Sequence, residues 1–151
     1  MIRSHILICG GTGCTSSKSM EIAAALEKEI AAQGLSDEVQ VVRTGCFGLC
    51  ALGPIMIVYP EGSFYNMVTL EDVPEIVSEH ILKGRPVERL IYKPHNAAEE
   101  AEMKAAEIKH ATSLSETPFY SKQKRVALRN CGVINPENID EYIGVGGYQA
   151  L

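Results

Sequence analysis

Short apolar runs alternate with a helical stripe along the first part of the chain. Apolar runs bounded by glycine or turn residues predict four buried strands, at 4–9, 39–44, 55–59 and 64–68. Between the first two runs, Ile22, Leu26 and Ile30 recur every four residues. This spacing predicts an amphipathic helix over 17–33, with Gly34 just past its end.

A second apolar stripe predicts a helix over 69–83. Thr69 and Asp72 stand three positions apart at its start, which is the spacing of a capping box. The turn residues at 60–63 predict a hairpin between the third and fourth strands. The order strand, helix, strand, strand, strand, helix therefore predicts an α/β sandwich of the thioredoxin-like kind, with its first two strands parallel.

The pattern changes after this core. Residues 94–118 carry few large apolar side chains and are rich in Ala, Glu and Lys, which predicts a partly helical linker. Signals of order return after it, where the residues at 135–138 predict the start of a short helix that ends at Gly144. We expect this tail to begin a domain that continues beyond the chain, because alone it is too small to fold. The predicted units are a domain at 1–92, a linker at 93–118 and a lead-in at 119–151.

Composition excludes several classes of protein. The 151 residues are 46% hydrophobic and 22% charged, which is typical of a globular chain. The formal net charge of -5 argues against a protein built to bind nucleic acid. No apolar run approaches the ~18 residues of a membrane span, and the N-terminus shows no signal-peptide cleavage site. We therefore expect a cytoplasmic protein with no membrane span and no nucleic-acid partner.

Four of the five cysteines form two close pairs. Four residues separate Cys9 from Cys14, three separate Cys46 from Cys50, and each pair follows a predicted strand. The carboxyl ends of parallel strands share one edge of a sheet, so we expect the four thiols to converge there. Four thiolates are what a [2Fe–2S] cluster requires. Five glycines within these loops would let backbone amides approach the sulfurs, at 10, 11, 13, 45 and 48.

Spacing alone leaves three interpretations of the cysteines open. An iron–sulfur cluster is favoured, and four cysteines also make a structural zinc site that would staple an interaction module without redox activity. Zinc pairs are mostly C-x2-C, which neither pair matches. A thiol–disulfide enzyme is least favoured, because the chain has no C-x-x-C motif.

The motifs resemble a known family. The two cysteine pairs, the Gly-Pro at 53–54 and the closing stretch at 65–87 are similar to the thioredoxin-like [2Fe–2S] ferredoxins, in the form found in the 24 kDa-type subunit of NADH dehydrogenase. The tail at 119–132 and 135–148 resembles the lead-in to the 51 kDa-type, NADH-binding flavoprotein subunit. A ferredoxin domain ahead of that flavoprotein is the layout of iron hydrogenase β subunits and NADP-reducing hydrogenases.

The resemblance implies a role in electron transfer and no catalytic residue in this chain. Cys9 and Cys14 would hold one iron of a [2Fe–2S] cluster, and Cys46 and Cys50 the other. FMN and NAD(P)H would bind only in the remainder of a longer NAD(P)H-dependent oxidoreductase subunit. The implied partners are other redox subunits of a complex: a 24 kDa-like ferredoxin subunit, and a hydrogenase or dehydrogenase catalytic subunit.

Three further features receive less specific interpretations. Cys131 has no nearby cysteine and is expected to be a small packed side chain rather than a ligand. His80 falls on the second apolar stripe and is expected to be a buried, hydrogen-bonded histidine. The basic residues within 122–129 form either a solvated face or a docking surface, which would meet an acidic partner subunit or the remainder of the flavoprotein.

Overall fold

A mixed four-stranded sheet lies at the centre of the molecule. The computed structural model describes residues 2–94, 97–98, 100–101 and 114–151. The strands lie in the order β2-β1-β3-β4. Their bounds are β1 Ser4–Cys9, β2 Val39–Thr44, β3 Met56–Tyr59 and β4 Ser63–Tyr65.

The strand pairing brings the cysteine loops to one edge. β1 pairs in parallel with β2, and the register sets Cys9 opposite Thr44 at the carboxyl end of both strands. β3 runs antiparallel to β1 and forms a hairpin with β4. The predicted parallel pair, hairpin and α/β class are therefore confirmed. The loops after β1 and β2 leave the sheet side by side.

The first predicted helix is confirmed over most of its length, and a short helix that the sequence did not predict precedes it. α1 (Thr12–Ser16) and α2 (Ser19–Ala32) are separated by Lys18, which adopts a left-handed conformation with φ 69°. The predicted start at residue 17 is therefore wrong. The pattern missed α1 because its five residues carry no apolar stripe.

The second predicted helix consists of three short elements. Thr69 and Asp72 form the predicted capping box, on a 3₁₀ turn at Leu70–Asp72. α3 (Val73–Glu75) follows, with Pro74 in its first turn, where no amide hydrogen is needed. A π-helix, Ile76–Ile81, completes the segment. Its wider i→i+5 turn is not encoded by an apolar stripe at helical spacing, so the sequence did not predict it.

Apolar side chains fill both faces of the sheet. On one face, residues of β1, β3 and β4 pack against α2 and the π-helix. On the other face, a smaller cluster includes Phe47, Phe64 and Tyr92 together with Cys9 and Cys14. Each fully buried aliphatic side chain contributes roughly 1.5–3 kcal/mol. The second cluster holds the first cysteine pair inside the protein and away from water.

The tail contains two short helices. α4 spans Pro118–Ser121, and Thr117 caps it by accepting a hydrogen bond from the Tyr120 amide. α5 spans Ile139–Gly144, as the sequence predicts, although its cap is Asn138. Most of the predicted linker lies outside the described residues. Within the described part of the chain, no helix is both long enough and apolar enough to cross a membrane.

His80 is buried and hydrogen-bonded through Nδ1, as expected, whereas its buried Nε2 has no hydrogen-bond partner among the described residues. The Val87 amide donates to the Tyr65 hydroxyl, which lies 2.8 Å from His80 Nδ1. The hydroxyl can donate its own proton to Nδ1 of a neutral His80 that carries its proton on Nε2. Burial lowers the pKa of His80, while Glu61, 3.9 Å from Nε2, partly opposes the shift.

Acidification is expected to destabilise the protein through His80. The pKa of this histidine is lower in the folded chain than in the unfolded one, so the folded state binds fewer protons. The stabilisation is complete above the unfolded pKa of about 6.5 and is lost as pH falls below it. We expect the thermal midpoint to fall further between pH of about 7.5 and 5.5 in the wild type than in His80→Asn, whose side-chain oxygen can still accept from Tyr65. Equal falls in the two proteins would contradict this assignment.

Candidate metal centre

The first cysteine pair is buried at the end of the sheet. Cys9 is the last residue of β1, and Cys14 lies in α1 with 1% of its surface exposed. The Thr15 amide donates to the Gly11 carbonyl, so the chain turns tightly between the two thiols. Burial, followed by a hydrogen bond with Cys9, raises the pKa of the Cys14 thiol to about 12. Without a metal this thiol is therefore protonated at neutral pH.

The second pair lies on the surface in the loop after β2. Cys46 and Cys50 are exposed, and their sulfurs are 3.9 Å apart. Two thiolates on one tetrahedral iron or zinc lie about 3.8 Å apart when the metal–sulfur bonds are about 2.3 Å long. The Gly48 amide donates to Cys46 Sγ at 3.3 Å, and Gly48 has a φ of +84°, which side-chain-bearing residues rarely adopt. The hydrogen bond with Cys46 raises the pKa of Cys50.

Glycines let the two loops interlock. A Cβ atom added at Gly11 would lie 3.0 Å from Cys46 Sγ, and one at Gly13 would lie 3.5 Å from Cys50 Sγ. In the other direction, a Cβ atom at Gly53 would lie 2.7 Å from Cys14 Sγ. The structure thus brings the four cysteines together at one sheet edge, through backbone contacts that side chains would block. Their role as metal ligands stays a prediction.

The arrangement fits an iron–sulfur cluster with two metal atoms. Among the described residues, no three His, Cys, Asp or Glu side chains are gathered as the ligands of one metal ion would be. The thiols instead form two neighbouring pairs, which matches two irons with two thiolates each. The distance between Cys46 and Cys50 alone does not distinguish iron from zinc. Either metal would displace the thiol protons on binding, so its binding would weaken as pH falls.

Two parts of the site were not evident from the sequence. Gly53 packs against Cys14 although 38 residues separate them, and only the fold reveals this contact. Cys131 is half-buried, and its thiol donates to the Cys46 carbonyl oxygen at 3.4 Å. It therefore makes a polar contact beside the predicted centre, which the expectation of a simple packed side chain did not include.

One of the basic residues in the tail is engaged within the chain. The Arg125 guanidinium lies 5.0 Å from the centre of the Tyr120 ring and donates to the Cys131 carbonyl oxygen. For Arg125 this adds a contact within the chain, and the two alternatives for the basic stretch, a solvated face and a docking surface, stay predictions.

Comparisons with known proteins agree with this geometry. A profile of the family "Thioredoxin-like [2Fe-2S] ferredoxin" matches residues 1–80. The chain is 44% identical over 96 residues to a 2Fe-2S ferredoxin of Clostridium pasteurianum, covering 58% of this chain and 94% of that one. A solved thioredoxin-like [2Fe-2S] ferredoxin from Aquifex aeolicus superposes with a TM-score of 0.56 at 32% identity, covering 64% of this chain and 96% of the other.

A shorter similarity is to part of a hydrogenase subunit. Over 38 residues the chain is 50% identical to subunit HndC of an NADP-reducing hydrogenase from Solidesulfovibrio fructosivorans. This match covers 25% of the chain and 8% of that subunit.

Proposed function

The chain belongs to the thioredoxin-like [2Fe–2S] ferredoxin family, and we propose from this premise that Cys9, Cys14, Cys46 and Cys50 hold its cluster. Membership implies electron transfer through a [2Fe–2S] cluster. The observation that carries the ligand assignment is the pair of interlocked loops, which present two thiols each at one sheet edge. Cys9 and Cys14 hold one iron in this proposal, and Cys46 and Cys50 hold the other.

The protein's contribution is to hold, shield and tune the cluster, which when bound supplies a one-electron carrier. Buried Cys9 and Cys14 exclude water from one side. The Gly48 amide stabilises negative charge on Cys46 Sγ, which favours the reduced form. Cys46 and Cys50 are exposed, so this side offers a redox partner the shortest approach.

We further propose that the chain is the N-terminal part of an NAD(P)H-linked flavin oxidoreductase subunit of the hydrogenase or NADH dehydrogenase type. The similarity to HndC and the resemblance of the tail to a flavoprotein lead-in support this proposal. The units are then a ferredoxin domain at 1–92, a linker at 93–118 and a lead-in at 119–151. FMN and NAD(P)H bind beyond these residues, and the partners are other redox subunits.

Apolar side chains on the tail also support a following domain. Val126 is 76% exposed and Leu128 is 59% exposed, although both side chains are apolar. Further large apolar side chains of the tail are exposed at positions 139, 143 and 148. Such a surface is typical of a segment that packs against another domain.

In this proposal the chain holds the cluster but not the flavin, and a redox experiment on residues 1–151 tests this. Dithionite is expected to bleach the visible absorption of the purified chain, whereas NADH alone is not, because in this proposal the flavin binds beyond residue 151. NADH together with a separate NADH-oxidising flavoprotein and a one-electron mediator is expected to restore bleaching. Bleaching by NADH alone would show that the nucleotide and flavin sites are not confined to a missing domain. A chain containing iron that dithionite does not bleach would contradict electron transfer.

A further inference from the structure

The segment after the linker is hydrogen-bonded to the loop that carries Cys46. The Cys131 thiol donates to the Cys46 carbonyl oxygen at 3.4 Å. The next residue, Gly132, donates its amide to Thr44 Oγ1 at 3.0 Å. The Gly132 carbonyl oxygen accepts a hydrogen bond from the Tyr59 hydroxyl, also at 3.0 Å. Two successive residues are thus joined to the end of β2, to β3 and to the cysteine loop itself.

Close packing accompanies these hydrogen bonds. A Cβ atom at Gly132 would lie 2.1 Å from Cε1 of the buried Phe47 ring, and Gly132 has a φ of +74°. A Cβ atom at Gly45 would lie 3.1 Å from Cys131 Sγ. At Gly132 a side chain is excluded by both the Phe47 ring and the positive φ, and at Gly45 an added Cβ atom would crowd the Cys131 sulfur. The two segments are therefore closely packed on both sides of Cys46. Gly132 packs against the Phe47 ring, and Cys131 packs against the backbone of Gly45.

The segment is itself held in place. Arg125 donates to the Cys131 carbonyl oxygen at 3.0 Å and stacks over the ring of Tyr120. Tyr120 is buried, and Thr117 caps the short helix that carries it. Contacts within the segment 117–131 therefore hold the backbone of Cys131 in place.

We propose that Cys131 and Gly132 form a clamp on the Cys46 loop, with Cys131 as a positioning residue. On one side of this loop the Gly48 amide holds the Cys46 sulfur, and on the other side the Cys131 thiol holds the Cys46 carbonyl oxygen. The direction of the Cys46 side chain is fixed between these two bonds. The segment that follows the linker therefore sets how firmly the exposed half of the site is held. The effect on the cluster rests on the proposed function, whereas the clamp is a property of the polypeptide alone.

The test compares four variants of the full chain: Cys131→Ala, Cys131→Ser, Gly132→Ala and Val133→Ala. Amide hydrogen exchange at residues 45–48 is expected to be several-fold faster in Cys131→Ala and faster still in Gly132→Ala. Cys131→Ser restores slow exchange, because its hydroxyl donates to the same carbonyl. Val133→Ala, a change at an exposed neighbour, leaves exchange at the wild-type rate.

Measurements on the loaded chain separate positioning from ligation. In Cys131→Ala the iron content stays at the wild-type value, while cluster loss to a chelator is several-fold faster and the midpoint potential shifts. Serine at this position returns both quantities toward wild type. A lower iron content in both Cys131 variants would overturn the positioning role, because it would make Cys131 a ligand.

Unchanged exchange at residues 45–48 in both Cys131→Ala and Gly132→Ala would overturn the clamp. If the wild-type chain binds no iron, the ligand proposal fails, and the exchange measurement still decides the clamp independently.

Discussion

Replacing Cys14 by Ala is expected to abolish the cluster, lowering iron from about two atoms per chain to nearly none. Cys14 is 1% exposed and lies between Cys9 and the backbone of Gly53, so water cannot easily supply a substitute ligand. Loss of one thiolate leaves one iron with an incomplete set of ligands in an apolar pocket. Metal binding contributes folding free energy, so the variant is also expected to melt at a lower temperature.

The fifth cysteine supplies the control for this experiment. Cys131→Ala also removes one thiol from the site region but is expected to keep the full iron content. Iron, inorganic sulfide and visible absorption are measured on both variants after purification without oxygen. A Cys14→Ala chain with wild-type iron and an unchanged spectrum would exclude Cys14 as a ligand.

Adding one methyl group at Gly53 is expected to have the next largest effect. The new Cβ atom in Gly53→Ala would lie 2.7 Å from Cys14 Sγ and 3.4 Å from the Cys50 carbonyl oxygen. Neither neighbour is the free end of a flexible side chain, so a cysteine or its loop must shift. Overpacking of this kind costs about 1–3 kcal/mol, and here the strain falls on the ligands. We expect several-fold less cluster after assembly and faster loss to a chelator.

Gly144→Ala is the matched control for Gly53→Ala. Gly144 lies at the end of α5, and nothing lies within 4 Å of the position of an added Cβ atom. Alanine there is expected to be neutral or slightly stabilising, by up to about 1 kcal/mol. Equal cluster content and equal cluster lifetime in the Gly53→Ala and Gly144→Ala chains would contradict the packing argument.

The sheet was largely predictable because its strands are local patterns. β2 has the predicted bounds, and β1 ends at Cys9 where glycines follow. The fourth strand, predicted at 64–68, is Ser63–Tyr65. It ends early because the Asn66 amide donates to Leu90 and the Met67 amide donates to Leu52, with φ +50° at Met67. These partners are distant in sequence, so a local pattern of apolar residues does not reveal them.

Of the candidate site, only the four paired cysteines could be predicted from the sequence. Each pair of cysteines follows one of two strands that were predicted to be parallel. Because the carboxyl ends of parallel strands share one edge of the sheet, the sequence predicted that the four thiols meet there. The contacts of Gly53 with Cys14 and of Gly132 with Phe47 depend on the folded chain, and no spacing encodes them. Cys131 follows Cys50 by 81 residues, and its contact with Cys46 appears only once the tail is placed.

The central claim is that these thiols hold a cluster with two irons that carries one electron. It is tested most directly by measuring iron and zinc per chain and titrating the same sample with dithionite under its visible spectrum. We expect about two irons, broad visible absorption, and bleaching complete after about one electron per chain. A colourless chain with about one zinc, which iron and sulfide fail to convert to a coloured one, would contradict it.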